Sequence, residues 1–133
     1  PFLFLLIALL ACFSFDSVLS CSCAAFDNVK DKIDAHPYIY RGRSVARRNI
    51  GNNRVRYTVQ VLNVCKGNVV PGSYRYVVSS DQEASCGVTL PYGVTYLLYE
   101  SESNFLSLCS HQRDFSWNTL VNSGFCPEIS RRN

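Results

Sequence analysis

Methionine is absent from the 133 residues, tryptophan occurs once and histidine twice. With no initiator ahead of Pro1, the extreme amino terminus is expected to be missing, together with any basic stretch that would precede a signal's apolar run. Two histidines leave little for catalysis. An enzyme needs a nucleophile with a base, a carboxylate pair or a metal site of its own. His36 stands before Pro37 and His111 follows Cys109 in a polar turn, and neither has a Ser or Cys signature beside it. No catalytic residue and no cofactor of the chain's own is therefore expected. There is no Asn-x-Ser/Thr acceptor, so the asparagines should be unglycosylated. There is also no internal repeat and no low-complexity tract, which excludes repeat arrays and biased linkers. Neither charge dominates: 13 Lys and Arg against 10 Asp and Glu give +3, far from a nucleic-acid-binding composition.

An apolar run from Phe2 to Leu19 opens the chain and ends at Val18-Leu19-Ser20, a small-residue pattern that signal peptidase favours. Residues 1–20 are read as a signal peptide whose removal makes Cys21 the first mature residue. The run is nearly long enough to span a bilayer. Ser14, Asp16 and Ser17 interrupt it, however, and no cationic stop-transfer cluster follows. Leu9-Leu10-Ala11-Cys12 also looks like a lipoprotein signal, but cutting there would leave seven cysteines. Cutting after Ser20 removes Cys12 and leaves six: Cys21, Cys23, Cys65, Cys86, Cys109 and Cys126. An even count in a small secreted chain implies three disulfides and an extracellular, oxidising setting. Cys21-x-Cys23 as a thiolate metal site or redox couple is the weaker reading there. The mature part has 113 residues (133 − 20), one domain's worth, and a charge of +4 (13 − 9). No membrane attachment is expected after cleavage.

Along that part, Phe26, Val29 and Ile33 fall at offsets of three and four, predicting one or two helical turns that end at His36-Pro37. Tyr38 to Val45 reads as a first strand, and Arg47 to Arg54 as a polar, exposed hairpin connection. Val55, Tyr57, Val59 and Val61 alternate with polar neighbours up to Cys65, the clearest strand in the chain. Ser73–Ser79, Thr95–Tyr99 and Phe105–Leu108 make five. Phe115 to Val121 suits a short helix capped by Asp114 or Ser116 and stopped at Gly124. Five short strands with a helical end predict a mainly β fold, a small closed barrel that leaves no exposed edge.

Cys21 itself carries the sharpest chemistry. A free α-amine and the first peptide carbonyl can grip one metal ion together if the terminus is held still, and half-cystines at 21 and 23 could hold it. A catalytic zinc keeps one position for water, which such a chelate can displace. Near neutral pH the amine loses its proton at little cost. Ser22 would then point where a substrate's side chain beyond the scissile bond goes. The arginines at 41, 43, 47, 48, 54 and 56 read as a solvated hairpin or as a site for a sulfated polysaccharide or receptor.

Mature Cys-x-Cys, the Tyr38–Gly42 strand, Val55–Gly67 ending in Cys-Lys-Gly, Ser85-Cys86-Gly87-Val88, Leu108-Cys109 and Phe115-Ser116-Trp117-Asn118-Thr119-Leu120 stand in a telling order. Together they resemble the netrin-like domain of the tissue inhibitors of metalloproteinases. The likeness covers nearly all of residues 21–126 and leaves 127–133 as a flexible tail. It implies a five-stranded, closed Greek-key (OB-like) barrel with short flanking helices. It also implies a secreted, monomeric inhibitor of matrix-type zinc metalloproteases, whose Cys21 amine and carbonyl bind the protease's zinc. The pairing it implies is Cys21–Cys86 and Cys23–Cys109, and with them Cys65–Cys126. An inhibitory ridge of Cys21, Ser22, Cys23, Ala24, Ala84 and Ser85 would follow. The family's proline- and histidine-containing segment is replaced by Ala24-Ala25-Phe26-Asp27, and Cys65 stands in for a cysteine that the family places earlier. No second six-cysteine domain follows in this sequence, so binding of protease proenzymes is not expected. The competing expectation is a netrin-like binding module that recognises a polyanion or receptor through the Arg41–Arg56 hairpin.

Overall fold

Strand β2 (Arg54–Lys66) is the centre of the molecule, because its odd-numbered residues Val55, Tyr57, Val59 and Val61 are all buried. The computed structural model describes residues 21–130; the expected signal segment 1–20, with Cys12, and residues 131–133 lie outside the described residues. On one side β2 pairs with β1 (Tyr38–Gly51), which pairs in turn with β4 (Thr95–Glu100). On the other it pairs with β3 (Tyr74–Ser80), so the antiparallel order is β3-β2-β1-β4. Four register shifts along β1, at Ile39/Tyr40, Arg41/Gly42, Ser44/Ala46 and Asn49/Gly51, bend that strand and curl the sheet into a half-barrel. At Gly42 the backbones approach so closely that a Cβ would run into the Val59 side chain.

The first hairpin differs from expectation. β1 does not stop at Val45 but continues to Gly51, and the turn is only Asn52-Asn53, both in the left-handed region at φ 54° and 58°. Two such residues match the twist of the flanking strands, and asparagine tolerates that conformation. Ala46 to Arg54 are exposed all the same, so the ladder projects as a ribbon beyond the core.

The fifth strand is corrected to a single parallel bridge, Val78 with Phe105. Val78 N–H donates to the Asn104 carbonyl and Leu106 N–H to the Val78 carbonyl, each at 2.9 Å. The reason lies in Ser107 and Ser110, which form a capping box and turn the chain into a 3-10 helix at Leu108–His111. Two residues remain for pairing. The two edges of the sheet are instead joined through side chains. Arg75 of β3 donates twice to the Glu100 carboxylate of β4, at 2.7 Å each, with Glu100 fully buried. The Tyr40 hydroxyl and the Asn104 amide donate to the same carboxylate at 2.5 and 2.7 Å.

Two cores result. Tyr40, Tyr57, Val59, Val61, Leu98 and Leu106 fill the inside of the curled sheet. Ile33, Ile39, Tyr99 and Leu120 form the second, with the Cys65–Cys126 disulfide, beneath α1 (Val29–Ala35) and α2 (Trp117–Ser123). Asn28 caps α1 by accepting the Asp31 amide at 2.9 Å, and Ser116 caps α2 by accepting that of Thr119 at 3.1 Å. Within the expected tail, Pro127–Ser130 forms a further helical turn, α3, and Ile129 packs on the second core. The folded body therefore extends past Cys126. Among the described residues no helix is long and apolar enough to cross a membrane.

Candidate functional site

Cys21, Ser22 and Cys23 have no secondary structure of their own, so their position depends on what they are tied to. Disulfides join Cys21 to Cys86 and Cys23 to Cys109, with Cα separations of 5.7 and 5.4 Å. With Cys65–Cys126 these are the pairs that the resemblance implies. The two anchors are themselves linked, since Leu108 N–H donates to the Cys86 carbonyl at 2.7 Å. A three-residue segment is thus cross-linked at both ends to one small patch. The Cys21 sulfur lies 3.9 Å from the Glu83 carbonyl and the Cys109 sulfur 3.8 Å from that of Ser22, packing contacts because a disulfide sulfur carries no proton.

Each anchor has a local reason to be where it is. Glu83–Ser85 is one 3-10 turn, closed by the Cys86 amide on the Glu83 carbonyl at 3.0 Å. Cys86 then takes the left-handed conformation at φ 59°, which costs a non-glycine residue about 1–3 kcal/mol and which the surrounding bonds must hold. Gly87 follows because a Cβ there would strike the Ser80 carbonyl. Val88 N–H donates to the buried Ser79 hydroxyl at 3.0 Å, and its side chain enters the first core. Cys109 sits in the 3-10 helix begun by Ser107, whose hydroxyl accepts the Cys109 amide at 3.2 Å. Ser22, Ala24, Ala84 and Ser85 are all exposed, while Cys21 and Cys23 are half-buried. The cross-link at Cys86 brings the Ala84-Ser85 turn alongside Cys21.

Behind the segment stands a packed post. Phe26 meets His36 edge-on at 5.8 Å and His36 meets Tyr99 at 5.2 Å between ring centres. Lys32, 1% exposed, holds its ammonium 4.3 Å above the Tyr99 ring and pairs with Asp114 at 2.5 Å. His36 Nδ1 is 2.8 Å from the Lys32 carbonyl, and burial pulls its pKa below the ordinary 6.5. His36 thus packs between the Phe26 and Tyr99 rings.

In front of Cys21 lies an open groove of about 530 Å³, lined by Glu83, Gly87, Val88, Thr89, Leu108 and His111. Of these, Glu83 and Thr89 carry no expectation from the sequence, whereas Leu108 is expected in the fifth strand and His111 in a polar turn. All four sit in loops and single turns without a period, and Leu108 is half exposed. His111 packs edge-on against Tyr96 at 4.5 Å, and burial lowers its pKa. Among the described residues no group of three His, Cys, Asp or Glu side chains is placed to hold a metal. What the patch offers a metal is the backbone amine and carbonyl of residue 21, should that residue begin the mature chain.

Compared with models of known protein families and with curated proteins, the chain matches none.

Proposed function

We propose that the chain is a secreted inhibitor of zinc metalloendopeptidases of the matrix-metalloproteinase type, related to the netrin-like domain that residues 21–126 resemble. In this reading the half-barrel is a form of the OB-like Greek-key barrel, with Phe105-Leu106 the remnant of its fifth strand. One observation carries the function. Cys21-Ser22-Cys23 is fastened at both ends to anchors that are hydrogen-bonded to each other. A segment so constrained loses little conformational entropy on docking.

Cleavage after Ser20 frees the α-amine of Cys21. In its neutral form the amine donates a lone pair to the protease's zinc, and the Cys21 carbonyl takes a second position, displacing the water that would attack a substrate. Ser22 enters the mouth of the protease's specificity pocket, and Ala24, Ala84 and Ser85 widen the contact. The zinc belongs to the target. Three disulfides suit the extracellular setting where such proteases act.

Adding one alanine ahead of Cys21 tests this. The added residue buries the amine in a peptide bond, so inhibition is expected to vanish while the circular dichroism stays unchanged. Equal potency with and without the alanine would contradict the chelate. Mass spectrometry of the secreted protein separates this reading from a netrin-like module without a protease target, for which residues remain ahead of Cys21.

A further inference from the structure

Residues 35–80 hold eight Lys and Arg and no Asp or Glu. The sheet gathers much of that charge on its outward face. Across the strands the register gives three rows on that face: Arg43, Gln60 and Tyr74; Ala46, Thr58 and Tyr76; Arg48, Arg56 and Val78. Arg54 follows Arg56 on the same side of β2. The alternate residues, Tyr57 and Val59, point into the core.

Two features of this face lack a purely structural explanation. First, Arg48 stands directly opposite Arg56, and like charges so placed destabilise a ladder. The ion pairs among the described residues, Lys30–Asp34, Lys32–Asp114 and Arg75–Glu100, include none of the arginines at 43, 48, 54 and 56. Second, Tyr74 and Tyr76 are 62% and 55% exposed, two rings side by side on the outward face of β3. The Arg56 guanidinium lies 4.7 Å above the Tyr76 ring, and its buried Nε–H has no acceptor. The side chain is thus oriented by a ring rather than by an acceptor, and its guanidinium charge is left without a counter-ion.

The geometry points to a binding surface for a sulfated polysaccharide on this outward face, with Arg43, Arg48, Arg54 and Arg56 pairing with sulfate groups and Tyr74 and Tyr76 stacking on sugar rings. Charge complementarity selects the occupant: an uncompensated basic field needs a polyanion. The rings select among polyanions for one whose repeating units have an apolar face to stack. Disulfides place the chain where sulfated polysaccharides are the abundant polyanion. This surface is independent of the protease-inhibitor reading, and its test contains no protease.

Heparin serves as the probe, with the full secreted chain. Binding is expected at physiological salt, absent for desulfated heparin and weakening linearly in log Kd against log salt. The Arg48→Gln/Arg56→Gln double variant should bind about tenfold more weakly, with a smaller salt slope. A charge-matched control away from the face, Lys30→Gln/Arg113→Gln, should change Kd by less than about twofold, the screened contribution of distant charges. Tyr74→Ala/Tyr76→Ala should weaken binding without changing the slope, separating stacking from charge. No retention, equal losses in the two charge-removing variants, or equally tight binding of single-stranded DNA through the same residues would each overturn the assignment.

Discussion

His36 and His111 are both packed against aromatic rings, and burial lowers the pKa of each below 6.5. The sign follows directly. The folded protein favours the neutral imidazoles, so on acidification the unfolded chain takes up protons first. Stability is therefore fully present above pH 6.5 and declines as the pH falls from there through the lower folded values. Asp34, whose pKa its hydrogen bond to Lys30 lowers from 3.8, titrates in a separate window further down. The midpoint of thermal unfolding is expected to drop between pH 7 and pH 5, and less so in the His36→Gln/His111→Gln variant; a flat or rising midpoint would contradict this. At this scale the sequence disclosed what a residue type is, less what surrounds it. That neither histidine had a nucleophile beside it was readable, but their ring partners Tyr99 and Tyr96 come from β4, distant in sequence. Gly87 was legible as part of a Ser-Cys-Gly-Val block, and only the Ser80 carbonyl behind it explains why nothing larger fits.

Among the elements, β2 was the most legible because its alternation spans Val55 to Val61 and one face is fully buried. Its neighbours' ends were not. The turn at Asn52-Asn53 depends on two left-handed residues inside a polar stretch where several positions could have turned. The expected strand at Phe105–Leu108 failed because Ser107 and Ser110 outweigh the apolar alternation around them. Edge-to-edge linkage then falls to the Arg75–Glu100 pair, which no periodicity announces. Removing one partner of a buried pair leaves the other uncompensated, so Glu100→Ala should lower the unfolding free energy by about 3–5 kcal/mol. Denaturant titration reads this; a loss below about 1 kcal/mol would mean that the pair does not hold β3 to β4. Tyr40, whose hydroxyl pKa burial raises, is left without an acceptor in the same variant and adds to the cost.

At the scale of the whole molecule, the three disulfides among the described residues divide between two tasks. Cys65–Cys126 ties β2 to the segment between α2 and α3 inside the second core, far along the chain from the amino-terminal segment. Closing 61 residues, it stabilises by about 4 kcal/mol in the chain-entropy model. Cys23–Cys109 closes 86 residues and also fixes one end of the Cys21-Ser22-Cys23 segment. Replacing Cys65 and Cys126 with alanine should cost stability and leave inhibition at temperatures where the fold survives. Replacing Cys23 and Cys109 should cost inhibition even where circular dichroism shows the fold intact. Unfolding curves and inhibition constants measured on both variants distinguish the tasks, and equal inhibition by the two would show that the clamp is dispensable. The pairing that brings Cys21-Ser22-Cys23 beside Ala84-Ser85 was legible only through the resemblance, since nothing in the spacing of Cys21, Cys86 and Cys109 dictates which sulfur meets which. The most direct measurement is a crystal structure of the protein, processed to begin at Cys21, bound to a matrix-type zinc metalloprotease. The zinc is expected to be ligated by the Cys21 amine and carbonyl in place of water; a zinc that keeps its water, with Cys21 outside the coordination sphere, would contradict the proposed inhibition.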